Sequence, residues 1–297
     1  MKVASINAVI VTFNPNKKEL LNCIRSLANQ VEKIILVDNN SDIRDILETE
    51  VLPEFGVDKI RIIYLPENLG IAYATNVGVK ESVQLKSRYT LLSDQDTEYP
   101  ESYIDDMIDN FSFSYKGSFR KNIVAVCPSF FDSNSKKTYG LYSDIYLSDT
   151  ITSVYQCIAS GMIIDSDFWK DVGEMNDRLF IDWVDFEWCW RARDKGYCIL
   201  RDNKVIITHK LGSETVSLFG RSFPKYNDLR CYYITRNAVY LYLYFPGFSI
   251  KKRFFGIISC LKYIIGYPLV SNRPLTTARF CCQALYHGVI KRLGKYD

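Results

Sequence analysis

The apolar positions of the first hundred residues fall into short continuous runs separated by polar breaks. "INAVIVTFNP" is a β-rich run closed by Asn14 and Pro15, and the following "KKELLNCIRSLANQ" carries Leu20, Leu21, Ile24 and Leu27 at helical spacing. "VEKIILVDNNS" and "KIRIIYLPENLG" are further apolar runs that close on polar residues, "IAYATNVGVKESVQ" predicts a helix, and "RYTLLSDQDT" a fourth strand. Strands that alternate with helices and are apolar almost throughout predict an α/β fold, a mostly parallel sheet with helices on both faces. Ligands of such sheets bind outside the carboxyl ends of the strands. Those ends carry Thr12 and Asn14, Asp38 and Asn39, Asn68 and Gly70, and Asp94 and Asp96, so four strands aim polar groups at one rim.

Beyond residue 120, "NIVAVCPSFFD" and "SVYQCIASGMIIDSDFWKDVG" predict more strands and a helix start, and "DFEWCWRARDKGY" a helix ending at Gly196. "CILRDNKVIITHKLG" predicts a closing strand, and from about residue 225 the pattern changes to long helical stretches. The chain thus divides into an α/β domain over residues 1–220 and a helical region over 221–297.

Composition narrows the class. With 297 residues, 47% of them hydrophobic, the chain can bury a large core. A net charge of +3 argues against a dedicated nucleic-acid binder. The nine cysteines show no C-x-x-C spacing and sit mostly among apolar residues, which predicts reduced, buried thiols and neither a zinc site nor a disulfide framework. The amino-terminal apolar run reaches a turn after a few residues, which predicts neither signal peptide nor anchor and hence a cytoplasmic protein.

Asp94 and Asp96 leave the fourth strand one residue apart, and both can turn toward the rim. A hard divalent cation such as Mg2+ or Mn2+ prefers one or two carboxylates completed by phosphate oxygens and water. The spacing suits a metal–diphosphate site, although a solvated turn carries the same two residues as readily.

The segments "VIVTFNP", "ILVDNNSD", "PENLGIAYATNVGV", "LLSDQDT" and "DWVDFEWCWRARDKGY" resemble, in order and spacing, the inverting family 2 glycosyltransferases of GT-A fold. "SDQDT", "SGMIID" and "HKLG" followed by "YYITRNAVYL" look most like bacterial rhamnosyltransferases that use dTDP-L-rhamnose. The resemblance covers roughly residues 6 to 240. It implies that Thr12, Phe13 and Asn14 lie against the nucleoside and that Asp38 accepts from the pyrimidine imide N–H. It also implies that Asn68, Gly70 and Asn76 lie close to the nucleotide, that Asp96 binds the metal directly, and that Asp94 contacts the ribose or a metal-bound water. His209 would reach the metal or the diphosphate, or else be structural. Arg236 and Asn237 resemble a segment that serves either diphosphate contact or helix packing.

Inversion needs a carboxylate to take the acceptor hydroxyl's proton. Aligning "CWR" with the family's ending places Asp185 at the catalytic aspartate and Glu187 at the second acid, with Val184 where the family often has Glu. That departure keeps Asp182 in view, and the acids could instead cap the following helix. Trp183 is the candidate for stacking on an acceptor sugar, with Glu187 beside it. The implied reaction moves L-rhamnose to a lipid-linked or growing cell-surface polysaccharide. A UDP-hexose donor, or a non-catalytic sugar-nucleotide-binding relative, are the competing readings. In "FPGFSIKKRFFGIISCLKYIIGYPLV" the charge-free stretches are too short to span hydrocarbon, where about 20 apolar residues are needed. A basic, aromatic helix of this kind can lie in the interface at the inner face of the cell membrane, or pack on the catalytic domain or on a second subunit of a homodimer.

Overall fold

β1 (Ile6–Thr12) is buried along its whole length at the middle of the sheet, because each of its faces is covered by helices. The computed structural model describes residues 5–42, 44–113, 123–132, 137–138, 145–209, 215–218 and 221–296. In chain order the elements of the first half are β1, α1 (Lys17–Ala28), β2 (Lys33–Asp38), α2 (Leu52–Phe55), β3 (Ile60–Tyr64), α3 (Ile71–Gln84), β4 (Tyr89–Ser93) and α4 (Tyr103–Asp109). Then follow β5 (Ile123–Asp132), β6 (Lys137–Thr138), β7 (Ile145–Tyr146), β8 (Ile151–Ser153), β9 (Ile163–Asp165), α5 (Ser166–Val172), α6 (Val184–Asp194) and β10 (Cys198–His209). A hairpin of β11 (Thr215–Leu218) and β12 (Arg221–Pro224) leads to α7 (Asp228–Tyr244), α8 (Ile250–Val270) and α9 (Pro274–Val289).

The main sheet runs β3-β2-β1-β4-β9-β5-β10-β8-β7. Its first four strands are parallel, and their register sets Thr12 beside Asp38 and Ser93 beside Ile10, so the polar strand ends share one rim. The expected mostly parallel sheet becomes mixed at β9, which runs antiparallel to both β4 and β5. Side-chain alternation along β1 and β2 feeds two cores: Val9, Val11, Ile35 and Val37 on one face, Ile6, Ala8, Ile10, Ile34 and Leu36 on the other. The first face receives α3, α5, α6 and α7, and the second receives α1 and α4.

Local chemistry accounts for the helix positions. Asn16 caps α1 by accepting from the amides of Lys18 and Glu19. Gly78 lets α3 lie close on the sheet, since a Cβ there would stand 2.3 Å from Val9 Cγ1. The helical carboxyl-terminal region is present as α7 to α9, and Leu241 of α7 and Phe245 just after it enter the core shared with Trp188 and Trp190 of α6. Among the described residues α8 is the one helix long and apolar enough, by length and composition, to cross a membrane, and only a third of its most apolar stretch is covered by the rest of the chain. The expectation that this segment is too short held for its charge-free pieces; the helix runs unbroken through Lys262.

The turn before α6 is the strained part of the fold. Phe180, Asp182 and Trp183 have φ of 68°, 63° and 66°, a left-handed conformation that costs non-glycine residues energy. Two buried side chains of α7 hold it. Asn237 Nδ2 donates to the carbonyls of Leu179, Ile181 and Asp182 at 2.9, 2.8 and 3.0 Å, and Arg236 Nη2 donates to that of Leu179 at 2.9 Å. Arg236 also donates to Gly294, beyond α9, at 2.6 Å. Both side chains therefore bind protein carbonyls, and of the two readings left open by the sequence they serve helix packing. Asn237→Ala should lower stability to urea by about 2–4 kcal/mol, since it removes the side-chain donor from the Ile181 and Asp182 carbonyls over a strained turn and leaves that of Leu179 to Arg236 alone among side chains; a loss below about 1 kcal/mol would show that the turn holds itself.

Candidate active site

The rim is stitched together by short polar links between strand ends. The chain leaves β1 through Asn14 at φ 45° and leaves β2 through Asn40 at φ 67°, a region asparagine tolerates. The Asn14 amide donates to Ser41 Oγ at 2.9 Å, and the Asp42 amide to Asn14 Oδ1 at 2.7 Å. Thr12 and Asp38 are fully buried. Asp38 accepts from the Thr12 hydroxyl and the Ser41 amide, each at 3.1 Å, and pairs with Arg44 at 3.0 Å. A nucleobase N–H reaching Asp38 would share an oxygen with these partners, whereas the Phe13 ring, 45% exposed, faces outward.

The next link joins β2 to the loop before α3. Asn39 Nδ2 donates to Asn68 Oδ1 at 3.0 Å, and Asn39 Oδ1 accepts from the Leu69 amide at 2.9 Å. Gly70 has φ 90°, and a Cβ there would stand 2.5 Å from the Phe180 carbonyl oxygen, which accepts from the Ile71 amide at 2.8 Å. The close approach expected at Gly70 is therefore to the strained turn, and the α3 amino terminus meets a backbone carbonyl. Asn76 lies inside, with its amide donating to and accepting from the Met175 backbone at 2.8 Å each.

At the end of β4, Asp94 is half-buried and Asp96 exposed. Gln95 between them accepts from the Phe13 amide at 2.9 Å and donates to the Phe13 carbonyl at 3.3 Å, tying this loop to β1. Burial pushes the thiol of Cys23, beneath the loop, up to about 12, with the charges of Asp96 and Asp94 adding to it. Two carboxylates exerting one local negative field are a donor set that fits Mg2+ or Mn2+ completed by phosphate oxygens. Among the described residues no three His, Cys, Asp or Glu side chains form a metal cluster of their own. His209 ends β10, and its side chain lies outside the described residues.

Asp185 is brought to this loop by the segment before β9. The Ala159 amide donates to Asp185 Oδ2 at 3.1 Å, and the next residue, Ser160, accepts from the Asp94 amide at 3.3 Å and bonds the Thr97 hydroxyl at 2.8 Å. The Gly161 amide donates to the Leu92 carbonyl at 2.8 Å. Burial raises the Asp185 carboxyl to about 7; the Phe186 and Ala159 amides oppose this, and the charges of Asp94 and Asp182 add to it. The carboxylates of 94 and 185 thus feel each other, as the rim arrangement requires.

The neighbouring candidates are differently engaged. Burial raises the pKa of Asp182, which pairs with Arg230 at 3.2 Å and whose Oδ2 has no hydrogen-bond partner among the described residues. Glu187 is buried, its pKa raised by burial, and pairs with Arg191 at 2.7 Å. The Trp183 indole donates to the Ile234 carbonyl at 3.1 Å and packs edge-on against Phe186 and Tyr242. Sequence reasoning passed over Gln95, Ala159, Ser160 and Arg44. Gln95 meets the backbone of Phe13 and Ser160 that of Asp94, contacts that leave no spacing signal, though "SDQDT" and "SGMIID" were visible as motifs.

Comparison with known proteins agrees with this architecture. The sequence pattern of glycosyl transferase family 2 matches residues 8–166. The dTDP-rhamnosyl transferase RfbF of Shigella flexneri is 30% identical over 250 residues, which cover 80% of this chain and 80% of the relative. The crystal structure of GalNAc-T7 with UDP, GalNAc and Mn2+ superposes with a TM-score of 0.64 at 12% identity, covering 98% of this chain and 56% of that one. S. aureus TarS 1–349 in complex with UDP-GlcNAc superposes with a TM-score of 0.58 at 14% identity, covering 97% of this chain and 82% of that one. At such identities the two structures speak for the fold, which is GT-A. With the family pattern lying across the rim strands and the Shigella relative aligning over most of both chains, the chain belongs to glycosyl transferase family 2.

Proposed function

We propose that the chain is an inverting, metal-dependent glycosyltransferase that moves L-rhamnose from dTDP-L-rhamnose to a lipid-linked or growing cell-surface polysaccharide, working from the cytoplasm. The observation that carries the reading is the pair of bonds at Ala159 and Ser160, which bring a half-buried carboxylate of raised pKa to a loop with two more carboxylates. In this reading Asp185 takes the proton of the acceptor hydroxyl as the oxygen attacks the anomeric carbon from the face opposite the diphosphate. The carbon–diphosphate oxygen bond breaks, and dTDP leaves with its electron pair. A carboxylate titrating at about 7 is well matched to this task, because near neutral pH an appreciable fraction is deprotonated while it is far more basic than an exposed aspartate.

Asp96, with Asp94 beside it, would hold Mg2+ or Mn2+, and His209 is the further candidate ligand. When bound, the cation neutralises diphosphate charge and stabilises the leaving group. Phe13 offers an apolar wall to the pyrimidine, and Thr12, Asn14 and Asp38 shape its corner. Asn68, Gly70 and Asn76 fix the neighbouring loop. Trp183 and Glu187 border the acceptor side. A dTDP-rhamnose donor is supported by the relative of that name at 30% identity.

Asp185→Asn should cut transfer at least about a hundredfold with dTDP-L-rhamnose affinity unchanged by calorimetry, whereas Asp96→Ala should weaken donor binding in Mn2+ and not in its absence. Normal turnover by Asp185→Asn would sink the base assignment, and heat from UDP-glucose alone would overturn the donor. A second check is the pH profile of kcat/KM. Because the base must be deprotonated, the rate should fall as pH drops through about 7, and an acidic limb near 4 would mean that Asp185 is not the group titrating.

A further inference from the structure

Charge and apolar surface are both unevenly placed in the helical region. No Asp or Glu occurs between Leu229 and Tyr296, a stretch with eleven Lys and Arg. On α8, Phe254, Ile258, Leu261, Ile265 and Leu269 recur three or four residues apart and are 45% to 62% exposed, so they form one outward stripe. Lys251 and Lys262 are exposed on the same side of the helix. Other cations of this region are turned inward: Lys252 lies 3.8 Å over the Phe248 ring, and Arg253 donates to the Phe245 and Phe248 carbonyls.

We propose that the outward face of α8 docks on the surface of an anionic lipid bilayer, its apolar stripe among the acyl chains and Lys251 and Lys262 at the headgroups. Lipid phosphates complement a face that carries cations and no anions. A second copy of the chain pairing through the same face would not: α8 has no Asp or Glu to offer Lys251 and Lys262 of its partner. The opposite face of α8 decides between lying on the membrane and crossing it. Gly256, Cys260, Gly266, Tyr267 and Val270 are buried, and a Cβ at Gly256 would stand 2.0 Å from the Tyr242 ring, so this side is committed to the helix bundle. A span would give up those contacts and draw Lys262, at mid-helix, into hydrocarbon, where a charge is strongly disfavoured. The helix therefore lies in the interface. This inference is independent of the donor and of the acid–base assignments.

Flotation of the full chain with vesicles tests it. The chain should float with vesicles of mixed phosphatidylcholine and phosphatidylglycerol and stay behind with phosphatidylcholine alone. Lys251→Glu with Lys262→Glu should weaken binding by on the order of tenfold or more, and Phe254→Ser with Ile265→Ser should abolish flotation. Both double variants should keep wild-type donor affinity, which shows them folded. The proposal falls if the wild-type chain fails to float with anionic vesicles or if either variant floats as it does. It also falls if the bound chain resists extraction by alkaline carbonate, as a span would, or if the variants only dissociate a dimer.

Discussion

The geometry of the rim turns on two consecutive residues. Ala159 gives its amide to Asp185, and Ser160 takes the amide of Asp94, so a three-residue strap fixes the end of β4 against the start of α6. The strap is itself anchored by Gly161 on the Leu92 carbonyl. Each link is a single hydrogen bond of modest net worth, on the order of 1 kcal/mol. Their effect is geometric: Asp94 and Asp185, from distant parts of the chain, share one field, and partial burial pushes Asp185 toward neutral pH against the pull of its two backbone donors. In the proposed reaction, a base on one side and a diphosphate-binding pair on the other would need this kind of fixed separation, because displacement with inversion works only along one line.

A second constraint makes the helical region part of the same machine. The turn over Leu179 to Trp183 stores strain in three left-handed residues, and it aims α6 at the rim. Asn237 and Arg236 bind its carbonyls from α7, and Arg236 continues to Gly294 past α9. Gly70, across the rim, is shaped by the same turn, because its missing Cβ admits the Phe180 carbonyl. The boundary drawn by composition near residue 220 is thus crossed by bonds that set the position of Asp185.

Much of this was legible in the sequence, for identifiable reasons. The first four strands announced themselves as apolar runs ending in Asn, Asp or Gly, since a parallel sheet buried on both faces admits little else. The acids of "VDFEWCWRAR" stood out because the segment's ending resembles that of the family, which places Asp185 at its catalytic aspartate. β9 was harder to place: Ile163–Asp165 is too short to show a period, and nothing local says that it runs antiparallel between β4 and β5. Gln95, Ala159 and Ser160 were silent because they act through or upon the backbone. Thr12 and Asp38 were found, but their burial behind Ser41 and Arg44 depends on tertiary packing that spacing does not encode. The short charge-free pieces of the α8 segment were legible, but not that they join in one unbroken helix of 21 residues, because Lys262 sits on an outward face and does not interrupt it.

The central claim is that residues 94, 96 and 185 act on opposite sides of one reactive carbon. A crystal structure of the Asp185→Asn protein with dTDP-L-rhamnose and Mn2+ bound tests it most directly. The account predicts the diphosphate and Mn2+ at Asp94 and Asp96, with the residue 185 side chain facing the other side of the anomeric carbon. A sugar that points away from residue 185, or a diphosphate lying on the same side as that residue, would contradict it.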